Sequence, residues 1–261
     1  MSIFPVDCIG GAEVARNAIN RWVAQKTGGH IQGLVPKDGL DAWTRLVLVD
    51  AAYFKGSWAS AFDPALTKKA AFRLASGEPV ETPMMTQMKE LLYADLDSLQ
   101  ALQLQYRGKL LSMLILLPRA PYNLERLEAH ISSNALERWR SFIRPREVRV
   151  FLPKFSMTQE FRVDKVLMSM GMVDAFMPSK ADFSGMTPDP NPIFIGAVFQ
   201  KAFVEVEEKG TKAAAATAVK LTRAVDLLSV FRADHPFLFL IQDDGSGSVL
   251  FMGRVADPTR S

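Results

Sequence analysis

Cysteine is almost missing from this chain of 261 residues. Cys8 stands alone, which excludes an internal disulfide and a cysteine-rich metal site. No catalytic signature surrounds it, so it reads as a small apolar residue. Histidine is scarce too: His30, His130 and His235 are the whole set, with no G-x-S-x-G elbow and no H-E-x-x-H pair to make them a triad or a zinc site. His235 precedes Pro236 at the start of an apolar strand, a place for packing or a hydrogen bond. Glycine-rich phosphate loops and EF-hand spacings are also missing, so no cofactor or metal is expected. The acidic pairs Glu207-Glu208 and Asp243-Asp244 read as carboxylates at strand ends and turns, since nothing marks a desolvated catalytic pair. An enzyme is therefore not expected. No run approaches the roughly 18 apolar residues of a membrane span. The opening MSIFPVDCIGG lacks the basic start and apolar core of a signal peptide, so none is expected in this chain. Charge of one sign is absent as well: 31 Lys and Arg against 28 Asp and Glu argue against nucleic acid or an anionic membrane as partner. The densest basic run, Arg138, Arg140, Arg144, Arg146 and Arg149, is interrupted by Trp139, Phe142 and Ile143 and reads as a solvated face.

What is present is an ordinary globular composition, 48% hydrophobic and 23% charged, enough for one large domain or two small ones. Ala15, Ala18, Ile19, Trp22 and Val23 recur at helical spacing between Glu13 and Lys26, and Thr27-Gly28-Gly29 ends that helix. Thr44 to Phe54 is β-branched and apolar on both parities, the pattern of a buried strand. Two or three further strands are expected in Ala71 to Leu117, with Met113 to Pro118 the clearest core strand. Helices are expected over Leu124 to Trp139 and Val163 to Met170. Between them Val148, Val150 and Leu152 alternate with Arg149, Phe151 and Pro153, a β pattern with proline in it. From Ile193 to Val206 the apolar parity changes, which predicts a long strand with a bulge or twist near Lys201. Pro236 to Ile241 and Val249 to Val255, joined by QDDGSGS, predict a hairpin. Strands outnumber helices without a βαβ rhythm, so the class is α+β with large antiparallel sheets.

One stretch fits neither element type easily. GTKAAAATAVKLTR, residues 210 to 223, is rich in the best helix former yet offers no wide apolar stripe to bury. As a strand it has one small, uncharged face, Thr211, Ala213, Ala215, Thr217, Val219 and Leu221. Lys212 and Lys220 both fall on the other face. Such a strand could slide between existing strands with little steric hindrance, pivoting at Gly210. A helical or unstructured surface loop is the competing reading of the same pattern.

These residues resemble the serpins, a family of serine protease inhibitors. EEKGTKAAAATAV at Glu207 to Val219 resembles the family's hinge, and ADHPFLFLI at Ala233 to Ile241 with GSVLFMGRVADP at Gly247 to Pro258 resembles its C-terminal signature. Upstream, NAINRWVAQKTGGHIQGLV, LVDAAYFKGSW, PMM and FLPKFSM follow in family order at Asn17 to Val35, Leu48 to Trp58, Pro83 to Met85 and Phe151 to Met157. The resemblance begins late, and it implies a single serpin domain over residues 1–261 that lacks the family's N-terminal third.

The resemblance implies a serpin-like α+β fold, with large mostly antiparallel sheets, packed helices and an exposed reactive-centre loop at about 210–232. It implies a suicide substrate: the target protease attacks the loop, and the loop then inserts into a β-sheet. The hinge residues would be Glu208, Gly210, Thr211, Ala213, Ala215 and Thr217. Counting from Gly210 puts the reactive bond at Ala224-Val225, with Arg223-Ala224 as the alternative. The first suits an elastase-like target and the second a trypsin-like one. Trp58, Lys154 and Gln200 would support the site where the loop enters the sheet, Glu208 pairing with Lys154. Gln200, Asp50 and Lys212 depart from the usual histidine, asparagine and glutamate. A monomer outside the cell is the family expectation, with a cytoplasmic location left open. A non-inhibitory serpin-fold binding protein, or an inactive fragment, is the competing class.

Overall fold

A computed structural model describes residues 5–120, 123–186, 193–209 and 229–260. The chain divides into two compact units, residues 1–54 with 157–204, and residues 55–156 with 205–261.

The first unit is built on a long helix, a short one and a three-stranded sheet. Helix α1 (Ala12–Lys26) follows the spacing seen in the sequence and stops where the chain turns left-handed, at Gly28 (φ +59°) and Gly29 (φ +84°). Such angles cost a side chain and suit glycine. Asn20 on α1 exchanges two hydrogen bonds with the Val35 backbone, 2.9 and 2.8 Å, and so fixes the returning chain. The sheet order is β1 (Leu46–Lys55), β8 (Ile195–Val206), β7 (Phe155–Arg162). Val23, Ile31, Val35, Ala197 and Phe199 form the core, with Cys8 buried beside them. Strand β1 departs from expectation. Apolar on both parities, it reads as fully buried, yet none of its residues is: it forms one edge of this sheet, and Leu46 to Val49 are half-exposed. The change of parity in β8 is present: Ile195, Ala197, Phe199 and Lys201 are buried, then Val204 and Val206. Lys201 is tolerated inside because its ammonium reaches the Glu160 carboxylate and the Gln32 carbonyl.

The second unit is an eight-stranded sheet. β2 (Lys68–Arg73), β3 (Pro79–Asp95), β4 (Leu99–Gln105) and β5 (Leu111–Pro118) come first, where two or three strands were expected. Two helices, α2 (Leu124–His130) and α3 (Ser133–Phe142), replace the single one expected over Leu124 to Trp139. The helical period runs through, but the Ser132 hydroxyl accepts a hydrogen bond from the Ala135 amide and starts a new helix there. Then follow β6 (Arg144–Pro153), α4 (Asp164–Ser169, in the first unit), β9 (Ser229–Arg232), β10 (Phe237–Asp243) and β11 (Val249–Val255). The sheet runs β11-β10-β5-β4-β3-β6-β9, with β2 on β3, and every pairing is antiparallel except β6 with β9. Leu127, Ala135 and Trp139 of the helices pack on Leu114, Leu116, Leu238 and Leu240. Across β10, the Phe239 ring lies over Gly253, where an added Cβ would come within 2.7 Å of it. Of the basic run, Arg138, Arg144, Arg146 and Arg149 are exposed, while Arg140 is half-buried and donates to Gln242 Oε1 at 2.5 Å.

Candidate functional site

The stretch expected to act, residues 210–228, lies outside the described residues. It includes Gly210, Thr211, Ala213, Ala215, Thr217, Arg223, Ala224 and Val225. The residues on which it begins and ends are described, and both ends belong to the second unit.

At the first end the chain leaves β8 and passes over the segment 57–62. Three successive carbonyls are taken there. Trp58 Nε1 donates to Glu207 O at 2.7 Å, Phe62 N to Glu208 O at 3.2 Å, and Trp58 N to Lys209 O at 3.0 Å. Trp58 is itself 2% exposed, stacked on Tyr106 at 4.5 Å and edge-on to Phe62. The segment around it is pinned to the β4–β5 turn by Ala59 N to Gln105 O and Arg107 N to Ser57 O. An indole N–H buried against a carbonyl is both an apolar anchor and a donor, a combination that phenylalanine does not supply.

Side chains add a second grip. Glu208 takes Lys154 Nζ at 2.7 Å and Thr67 Oγ1 at 2.9 Å, and Glu207 takes Lys55 at 3.1 Å and Lys209 at 3.2 Å. Burial pushes both carboxyls up, but the hydrogen bonds from Lys154 and Thr67, and from Lys55 and Lys209, outweigh it and hold both below the usual range. Lys55 is raised in turn, first by its hydrogen bond to Glu205 and then by Glu207.

At the other end β9 lies parallel to β6, with Val148 opposite Ser229 and Phe151 opposite Arg232. Phe231 is fully buried, edge-on to Tyr93. Arg232 lays its guanidinium 3.6 Å from the centre of the Phe151 ring, and Gln100 Nε2 donates to Val230 O at 3.1 Å. The expected loop span of 210–232 thus ends in four residues of strand, which sequence reasoning missed.

Of the expected support residues, Trp58, Lys154 and Glu208 come together at the first end. Gln200 does not join them: it lies in the first unit, on β8, and donates to Asp50 Oδ2 of β1 at 2.8 Å. Two of the three residues that depart from the usual pattern are thus each other's partner. Missed altogether were Thr67, Phe62 and Lys55. Thr67 and Phe62 follow the LVDAAYFKGSW motif closely, which is the one signal that could have drawn attention to them. Among the described residues no group of three or more His, Cys, Asp or Glu could hold a metal ion, and no helix is long and apolar enough to cross a membrane.

Comparison with known proteins bears on this arrangement. The family profile "Serpin (serine protease inhibitor)" matches residues 1–258. Human Serpin B10 is 39% identical over 259 residues, covering 97% of this chain and 65% of that protein. Sheep antithrombin-III is 36% identical over 258 residues, covering 97% of this chain and 56% of that one. The crystal structure of uncleaved ovalbumin superposes with a TM-score of 0.87 at 32% identity, over 97% of this chain and 65% of that one. The chain thus spans about 65% of the length of Serpin B10 and ovalbumin.

Proposed function

The chain belongs to the serpin family, and from that premise we propose that it inhibits a serine protease as a suicide substrate, through the loop between Lys209 and Ser229. The observation that carries this reading is the pair of fixed ends. A protease can attack the peptide between two held ends, and release of one end by cleavage then frees the other segment to move.

In the proposed sequence the protease serine oxygen attacks the carbonyl carbon of Ala224, or of Arg223 in the alternative. The peptide C–N bond breaks, the new amine of the next residue takes the proton, and an ester links the inhibitor to the enzyme. The freed segment, hinged at Gly210, enters the sheet between β1 and β8. Its Thr211, Ala213, Ala215 and Thr217 face is small enough to pass. Entry parts β1 from β8 and breaks the Gln200–Asp50 hydrogen bond. The protease is carried along and distorted before it can hydrolyse the ester. Trp58 and the Lys154–Glu208 pair hold the pivot.

A non-inhibitory serpin-fold binding protein is the second reading, favoured by Lys212 within the otherwise small hinge. Mixing the purified chain with trypsin and with an elastase separates the two. The inhibitor reading expects a covalent complex that survives SDS, formed with the enzyme matching the residue before the cut. Clean cleavage with no complex, by both enzymes, rules it out in favour of the second.

A further inference from the structure

The second end of the loop is followed at once by a turn, Ala233 to Pro236, that collects contacts from the neighbouring strands. Ala233 N donates to Phe151 O of β6 at 2.9 Å, and Arg73 N at the end of β2 donates to Asp234 O at 2.7 Å. The third contact is the His235 ring. Its Nε2 lies 2.8 Å from Pro118 O at the end of β5, and its Nδ1 lies 2.9 Å from Asp234 Oδ1.

Both partners of the ring are acceptors, one a carbonyl and one a carboxylate. A neutral imidazole carries one N–H and serves one of them, leaving the lone pair of the other nitrogen against oxygen. The imidazolium donates to both. We infer that His235 is a pH-operated positioning residue: as the imidazolium it latches the turn to β5 and so fixes β9, and on losing its proton it lets β9 loosen from β6.

Other charges do not replace it. Asp234 is the charged group that acts on the ring, from its own turn. Arg119, next to Pro118, is engaged by Asp95. Arg73 meets the turn through its backbone, and Arg232 lies on Phe151. The hydrogen bond to Asp234, and after it that to Pro118, pushes the imidazole up from 6.5 against the effect of burial. The sign follows: the latch is complete below the unfolded value and is lost as pH rises through the higher folded one. β9 has four residues in register with β6 and is also held by the buried Phe231 ring, by Gln100 on Val230 O and by Arg232 on Phe151, so loss of the latch loosens it at the turn rather than detaching it.

The latch is independent of the inhibitor reading, and its test uses no protease. The His235 ring proton is assigned in the NMR spectrum by comparison with His235→Gln and followed across pH. Its midpoint is expected above 6.5. Exchange of the Ala233 amide is then measured at acid and alkaline pH, and the ratio of the two rates is expected to be several-fold larger in the native chain than in His235→Gln. Asp234→Asn keeps the ring and a similar shape, and serves if His235→Gln fails to fold. With it, the midpoint is expected to fall and the Ala233 amide to loosen at lower pH. A native midpoint at or below 6.5, equal exchange ratios, or a midpoint unmoved by Asp234→Asn would each overturn the latch.

Discussion

The residues on either side of 210–228 are held by opposite chemistry. The first end, Glu207 to Lys209, is gripped through its carbonyls by a buried tryptophan and through its carboxylates by lysines. The second, Ser229 to Arg232, is a short parallel strand whose following turn is latched by a histidine. One grip needs anions; the other needs a cation.

The largest blow to the comparison is Trp58→Ala. It removes a buried ring and its N–H together, so a loss of about 3–5 kcal/mol in chemical denaturation is expected. Faster proteolysis between Glu207 and Lys209 should accompany it. Trp58→Phe keeps most of the ring and leaves Glu207 O without its donor, for a loss of about 1–3 kcal/mol. If both variants are as stable as the native chain, Trp58 does not hold the first end.

Next comes pH, which should act on the two ends in opposite directions. Glu207 and Glu208 sit below 4.5, so their contribution is complete above that value and is lost as pH falls through the folded values. His235 sits above 6.5, so its contribution is complete below that value and is lost as pH rises. Amide exchange at Phe62 should therefore quicken in acid and at Ala233 in alkali, each relative to an unstructured peptide. Both ends are held between about 4.5 and 6.5. A common direction of change would break the contrast.

Lys154→Ala is expected to do least. The lysine is 37% exposed, and a pair of this kind contributes about 1 kcal/mol or less. Its loss should be read more clearly in salt: the native chain weakens with ionic strength at this end, and the variant, which keeps the Lys55 and Lys209 pairs with Glu207, weakens less.

Much of this was legible in the residues, for reasons that also explain what was not. Helix α1 and the β10–β11 hairpin announce themselves through local period and through DDGSGS. The break between α2 and α3 does not, because Ser132 caps a helix without interrupting its apolar rhythm. Strand β1 shows the limit of periodicity: LVLVDAAYF reads the same whether a neighbour covers its faces or not. β9 is four residues long and parallel, at the shortest length over which alternation can be read. The pairing of Glu208 with Lys154 followed from the family resemblance, whereas the Trp58 bond to Glu207 O joins a side chain to a carbonyl and leaves no mark on residue identity at position 207. The same holds for Gln200 and Asp50, two departures from pattern whose contact only coordinates reveal.

The central claim is that the loop, once cut, becomes a strand of the sheet. The direct measurement is the thermal unfolding of the chain before and after a single cut between residues 210 and 228 by a protease that does not stay bound. Insertion replaces the one ladder between β1 and β8 by two, one on each side of the new strand, and buries the alanine face, so the account predicts a large rise in Tm on cleavage. A cut chain that unfolds at the same temperature as the intact one, or lower, would contradict it.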